Sequence, residues 1–109
     1  MHISTDIALE KLRSSKEVSI ELFNHGTLNL EIYKPLIKDY QAPHDRDEIY
    51  IIISGSSTFI NGQITSIVGQ GDFLFVPSGR PHRFIDFTED FSTWVIFYGP
   101  KGGEAKVSV

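Results

Sequence analysis

The chain contains no cysteine, which removes disulfides, thiolate metal ligands and thiol nucleophiles together. It also lacks long apolar runs. The longest, Ile49 to Ile53, falls far short of the roughly 20 residues that a membrane-spanning helix needs. At the N-terminus, Met1-His2-Ile3-Ser4-Thr5-Asp6, no basic segment leads into an apolar stretch, so no secretion signal is visible and a cytoplasmic protein is expected. Positive charge is scarce and scattered. Ten Lys and Arg against 14 Asp and Glu give a formal net charge of −4, without the clustered cations on which phosphate-backbone binding rests. Neither nucleic acid nor membrane is an expected partner. No repeat, low-complexity run or linker divides the 109 residues, so a single domain over 1–109 is expected.

Aromatic residues, by contrast, are plentiful: eight Phe, four Tyr and one Trp. They suit a barrel interior or a subunit interface. The start of the chain reads as a short helix over about residues 5–13, capped by Ser4, Thr5 or Asp6, with Ile7, Ala8 and Leu12 on its apolar side. A barrel is expected over about 17–98. Val18 to Leu22 and Leu28 to Tyr33 alternate apolar and polar residues, the period of half-buried strands, around an Asn24-His25-Gly26 turn. Ile49 to Ile53 is apolar on both faces and rich in β-branched residues, which predicts a central strand covered on both sides. Ser57 to Ile60 and Gln63 to Val68 flank Asn61-Gly62, a hairpin signal. Phe73 to Val76, His82 to Phe87 and Thr93 to Tyr98 complete about eight strands, and the Gly-rich tail 99–109 is expected to fray. The fold class is therefore all-β, a sandwich or barrel with a short N-terminal helix.

Of four histidines, terminal His2 and turn residue His25 read as solvated. His44 lies in Pro43-His44-Asp45-Arg46-Asp47-Glu48, directly before the most apolar strand, and His82 follows the turn-rich Val76-Pro77-Ser78-Gly79-Arg80-Pro81. On a straight strand His44 and Glu48 would stand roughly 13 Å apart, whereas metal bonds to such ligands run about 2.0–2.2 Å. The turn formers Asp45-Arg46-Asp47 therefore predict a bend that folds the two side chains toward each other, with Glu48 opening the next strand inward. Other candidates weaken on inspection. Gly99 to Gly103 opens no helix, which argues against a phosphate loop. Ser78, His82 and Asp86 are merely adjacent in sequence, which is no sign of hydrolase geometry. Tyr50 and Arg83 read as packing and surface residues, and Phe73, Phe75, Phe84, Trp94 and Phe97 as fillers of the barrel or of an interface.

The two His segments, taken together, resemble the cupin superfamily over about residues 30–98. His44, Glu48 and Gly55 match the second His, the Glu and the closing Gly of that family's first motif; Gly71, Pro77, Gly79 and His82 match its second. Pro43 to Glu48 and Phe97 to Pro100 look like a group of small single-domain cupins. Three positions depart: Ala42 stands at the first His, Leu36 near the opening Gly, and Asp86 at the final Asn. The resemblance implies a double-stranded β-helix, or jelly-roll barrel, holding one divalent transition metal (Fe, Mn, Ni or Zn) through His44, Glu48 and His82; Gln41 and Asp47 are weaker candidates for the place of the lost ligand. Two His and one carboxylate leave coordination positions open. The function implied is a metal-binding cupin with a ligand pocket, acting as an oxygenase or an isomerase or lyase on a small organic molecule, and a homodimer. A non-catalytic binding or sensing module and a metal-free structural cupin are the alternatives.

Overall fold

The computed structural model describes residues 1–105. Its elements run α1 (Thr5–Ser15), β1 (Ser19–His25), β2 (Leu28–Tyr33), β3 (Asp47–Ser54), β4 (Ser56–Asn61), β5 (Ile64–Gly69), β6 (Phe73–Val76), β7 (His82–Ile85) and β8 (Ser92–Tyr98). The strands form a five-stranded sheet ordered β1-β2-β8-β3-β6 and a three-stranded sheet ordered β5-β4-β7, with every pairing antiparallel. This is the expected jelly-roll barrel.

Strand period decides what faces inward. Side chains alternate between faces, and the β3–β8 register pairs Glu48 with Phe97, Tyr50 with Val95 and Ile52 with Thr93. Glu48, Tyr50 and Ile52 are accordingly buried against the opposite sheet. Phe59 of β4 and Phe84 of β7 meet Tyr50 there, with ring centroids 4.6 Å apart for Phe59–Phe84 and 5.0 Å for Tyr50–Phe84. Such pairs add about 0.5–1.5 kcal/mol each beyond the area they bury. The aromatic core thus fills the barrel behind Glu48.

Asp39 holds the long β2–β3 connection against that core. Its buried carboxylate accepts from the Tyr33 hydroxyl (2.7 Å), the Gln41 side chain (3.0 Å) and the Phe84 backbone amide (2.8 Å). These bonds compensate for burying its charge.

The helix begins where Ser4 Oγ accepts from the Ile7 amide, and ends where Lys16 adopts a left-handed φ of 62°. It covers the outer face of the larger sheet through Ala8 and Leu12, which join Ile32, Ile20, Ile53 and Trp94. Ile7, expected on the apolar side, is 51% exposed.

Three further expectations need correction. Ile49 to Ile53 is not covered on both sides: α1 reaches Ile53, while Ile49 and Ile51 stay half-buried. The strand from His82 stops at Ile85 because Asp86 takes a left-handed φ of 51°. Asn and Asp both tolerate that conformation, so Asp86 in place of the motif's Asn leaves the turn intact. Finally, residues 99–104 are pinned rather than frayed. The Gly99, Gly102 and Glu104 amides donate to Thr27 Oγ1, the Asp45 carbonyl and Asp47 Oδ2. The rest of the expected tail, 106–109, lies outside the described residues. Among the described residues, no helix is long and apolar enough to cross a membrane.

Candidate metal centre

The chain bends at Asp45 and Arg46, and β3 begins at Asp47. The bend is held from two sides. Gly79 donates its amide to the His44 carbonyl at 2.7 Å, and Ser78 donates to Asp47 Oδ1 at 2.9 Å. The Pro77-Ser78-Gly79 turn that leads to His82 is thereby fastened to the loop that carries His44. Glu48 enters from the larger sheet and His82 from the smaller, so the three side chains meet between the two sheets.

One ligand atom from each of His44, Glu48 and His82 lies within 4.8 Å of the others, and among the described residues theirs is the one such group of His, Asp or Glu. Glu48 is 1% exposed and His82 6%. The His82 Nδ1 sits 2.9 Å from the Arg80 carbonyl; a carbonyl only accepts, so Nδ1 carries a proton. In the neutral ring that leaves a lone pair on Nε2. This nitrogen lies 3.0 Å from Glu48 Oε1, off the line of a hydrogen bond, and 3.1 Å from the Tyr50 hydroxyl. Tyr50 donates its own proton to Gln41 Oε1 at 2.8 Å, so toward His82 it presents an oxygen lone pair.

The arrangement gathers electron-rich atoms around one point. Glu48 Oε1 and Oε2 and His44 Nε2 are buried and have no hydrogen-bond partner. Buried acceptors facing each other call for a donor or cation between them: a water, a proton or a metal ion. The proton solution is visible in His82. Burial lowers its basicity, but the adjacent Glu48 carboxylate, the bond to the Arg80 carbonyl and the charge of Asp39 more than reverse this, and its pKa is raised. The metal solution fits equally: two imidazole nitrogens and a carboxylate are donors suited to first-row transition metals, and the Arg80 carbonyl orients the His82 ring as partners of metal-bound histidines do.

The sequence matches the cupin-domain family over residues 30–97. The chain belongs to the cupin family. An uncharacterized protein of Streptomyces coelicolor is 36% identical over 63 residues, covering 58% of this cupin and 60% of that protein. The dimethylsulfoniopropionate lyase DddQ of Ruegeria pomeroyi is 35% identical over 57 residues, 51% of this chain and 28% of the lyase. This cupin therefore spans less than two thirds of the curated relatives it matches. The crystal structure of that lyase superposes with a TM-score of 0.64 at 28% identity, covering 74% of this chain and 46% of the lyase. A cupin-2 domain from Rhodospirillum rubrum superposes with a TM-score of 0.65 at 16% identity, covering 76% and 60%.

Both weaker candidates for the place of the missing first His are engaged by other residues. Asp47 is engaged by the Ser78 and Glu104 amides, and Gln41 by Asp39 and Tyr50. Ala42 is exposed. Tyr50, read from sequence as a packing residue, is one, and its hydroxyl also touches His82. The signal was its place two residues after Glu48, hence on the same strand face. Burial above all, then the Glu48 charge, raises its phenol pKa well above the ordinary value, which keeps it protonated. The remaining expectations stand as follows. His2, His25 and Arg83 are exposed. Phe84 fills the core and Phe97 meets the His44 ring at 4.8 Å, while Phe73, 62% exposed, lies on the outer face. Asp86 is exposed, and His82 Nδ1 turns to Arg80 instead, so no Ser-His-Asp arrangement forms.

A cavity of about 370 Å³ adjoins the centre, lined in part by Glu31, Tyr33, Gln41, His44, Arg46 and Phe97. Burial raises the Glu31 carboxyl pKa, the charges of Glu21 and Glu48 raise it further, and Arg46 opposes them. Such a carboxyl holds its proton more tightly folded than unfolded. Its stabilising contribution is present at acid pH and is lost as pH rises through the raised pKa. Thermal denaturation of Glu31→Gln checks this. Removing a like charge opposite Glu21 is expected to gain about 0.5 kcal/mol at about pH 8, a Tm rise of about 2–3 °C. The gap should close toward about pH 4, where both states of the wild-type carboxyl protonate. A variant no more stable than wild type at the higher pH would contradict this reading.

Proposed function

We propose that this cupin binds one divalent transition metal (Fe, Mn, Ni or Zn) through His44, Glu48 and His82, and acts on a small organic molecule in the adjoining cavity. One observation carries the reading: the buried, unpartnered atoms of His44 and Glu48 converge with His82 Nε2. A bound metal would supply Lewis acidity, polarising a substrate oxygen or lowering the pKa of bound water. The protein's own groups do the rest. The Arg80 carbonyl keeps the Nδ1 proton on His82 and the Nε2 lone pair directed inward. Gln41, held by Asp39, receives the Tyr50 proton and fixes the phenol beside His82. Phe97 backs the His44 ring, and the Tyr50-Phe59-Phe84 cluster excludes water from behind the carboxylate.

Among metal-dependent activities, a lyase reaction has the support of the Ruegeria relative, whose name carries that activity; oxygenase and isomerase chemistry use the same open donor set. Metal analysis of protein prepared without a histidine tag tests the proposal. Wild-type protein is expected to retain about one ion per chain, and His44→Ala to lose at least about 10-fold in affinity while its β-sheet circular dichroism is kept. Equal metal content in the two proteins would overturn the ligand set.

The same proposal includes a homodimer formed through the outer face of the larger sheet. Half-buried Ile49, Ile51 and Phe75 lie there beside Phe73, whose ring is 62% exposed, and the registers Ile49–Phe75 and Ile51–Phe73 make the patch contiguous. Contiguous exposed apolar surface favours a partner. Light scattering should give twice the chain mass, reduced to one in Phe73→Glu; a monomeric wild-type protein would contradict the dimer.

A further inference from the structure

We propose that Glu31 recognises a small organic cation, an amine or onium group carried by the ligand of the cavity beside the metal centre. This rests on reading that cavity as the ligand pocket. The placement comes first. Glu31 faces Val95 across β2–β8, and Val95 faces Tyr50 across β8–β3, so the carboxylate lies on the same inner row as Tyr50. Two strand spacings put their backbones about 10 Å apart, within the span of one small molecule reaching from the centre to the cavity wall.

The second observation is a rule of sheet pairing that this position breaks. Glu31 stands directly opposite Glu21 in the β1–β2 register, and like charges so placed are destabilising. Glu21 is compensated: its Oε1 accepts from the Asn24 and Asn29 side chains at 3.0 and 2.6 Å. Glu31 is half-buried, and among the described residues its carboxylate has neither a hydrogen bond nor an ion-pair partner within 4.0 Å. The lining cation, Arg46, is committed elsewhere. It donates to the Thr27 carbonyl and to Asn29 Oδ1 (2.7 Å). An unneutralised carboxylate at a local conflict in an otherwise consistent sheet marks a position kept for a ligand.

The cavity's other walls define the ligand's chemistry. Tyr33 and Phe97 flank Glu31 in the lining, and Phe97 already accepts the Arg46 guanidinium 5.8 Å from its ring centre. Aromatic rings beside a carboxylate suit organic cations, which bind through ring quadrupole and charge together. An anionic group at this wall would meet the charges of Glu31, Glu21 and Glu48 against the single guanidinium of Arg46, which is already turned to Thr27 and Asn29. A neutral group would leave the Glu31 charge uncompensated.

The test uses the full chain, zinc-loaded and metal-free, with tetramethylammonium as probe and tert-butanol as its neutral counterpart at constant ionic strength. Backbone amide NMR shifts of Glu31, Val95 and Phe97 report binding. Wild-type protein is expected to bind tetramethylammonium saturably and at least about 10-fold more tightly than tert-butanol, and Glu31→Gln to lose that preference. Equal affinity for the two probes, or an undiminished preference in Glu31→Gln, overturns the proposal. Cobalt(II) uptake by the same samples, read in the visible spectrum, judges the metal centre separately. Protein that takes up cobalt but ignores the cation rejects the role of Glu31 alone. Protein that binds the cation through Glu31 without taking up metal supports the role and rejects the metal centre.

Discussion

A carboxylate buried to 1% exposure with both oxygens lacking hydrogen-bond partners is the feature around which the molecule is arranged. An isolated ionised carboxylate in a protein interior is costly unless a positive charge faces it. Glu48 has His82 at 3.0 Å from the other sheet, and the raised basicity of that imidazole reflects the demand for positive charge. A proton on His82 serves one Glu48 oxygen. It leaves His44 Nε2 and the second oxygen unserved, and a metal ion would satisfy all three residues at once. That difference separates a residual core ion pair from a binding site.

Holding the atoms in place falls largely to two aspartates that are not themselves ligands. Asp47 ties the Ser78 turn and the tail amide of Glu104 to the first residue of β3, which couples the backbone before His82 to the backbone before Glu48. Asp39 does the same from within, joining Tyr33, Gln41 and the Phe84 amide. Each uses both carboxylate oxygens to fasten backbone or side-chain donors. The larger sheet thus supplies the acid, the smaller sheet one base, and the bent loop the other. Tyr50 and Glu31 continue the polar row outward to the cavity.

Much of this was legible in the sequence where local chemistry is strong. The alternation in residues 28–33, the Gly and Pro punctuation and the β-branched run at 49–53 placed the strands to within a few residues. His44, Glu48 and His82 could be singled out because turn formers separate the first two and a Pro-Gly turn introduces the third. What failed depended on tertiary packing. An apolar strand reads alike whether one face or both are covered, so the half-exposure of Ile49 and Ile51 was invisible. A Gly-rich tail reads as loose unless its acceptors, here Thr27, Asp45 and Asp47, are known to be in reach. Tyr50 does pack in the core, but its hydroxyl contact with His82 was invisible because it depends on how the two sheets meet. Glu31 drew no attention because its conflict with Glu21 exists only once the β1–β2 register is fixed.

X-ray crystals of the natively loaded protein, scanned across transition-metal absorption edges, test the central claim most directly. The account predicts one anomalous peak between the sheets, within about 2.0–2.2 Å of His44 Nε2, His82 Nε2 and a Glu48 oxygen. Protein loaded with metal yet lacking a peak there, or holding its ion on other side chains, would contradict it.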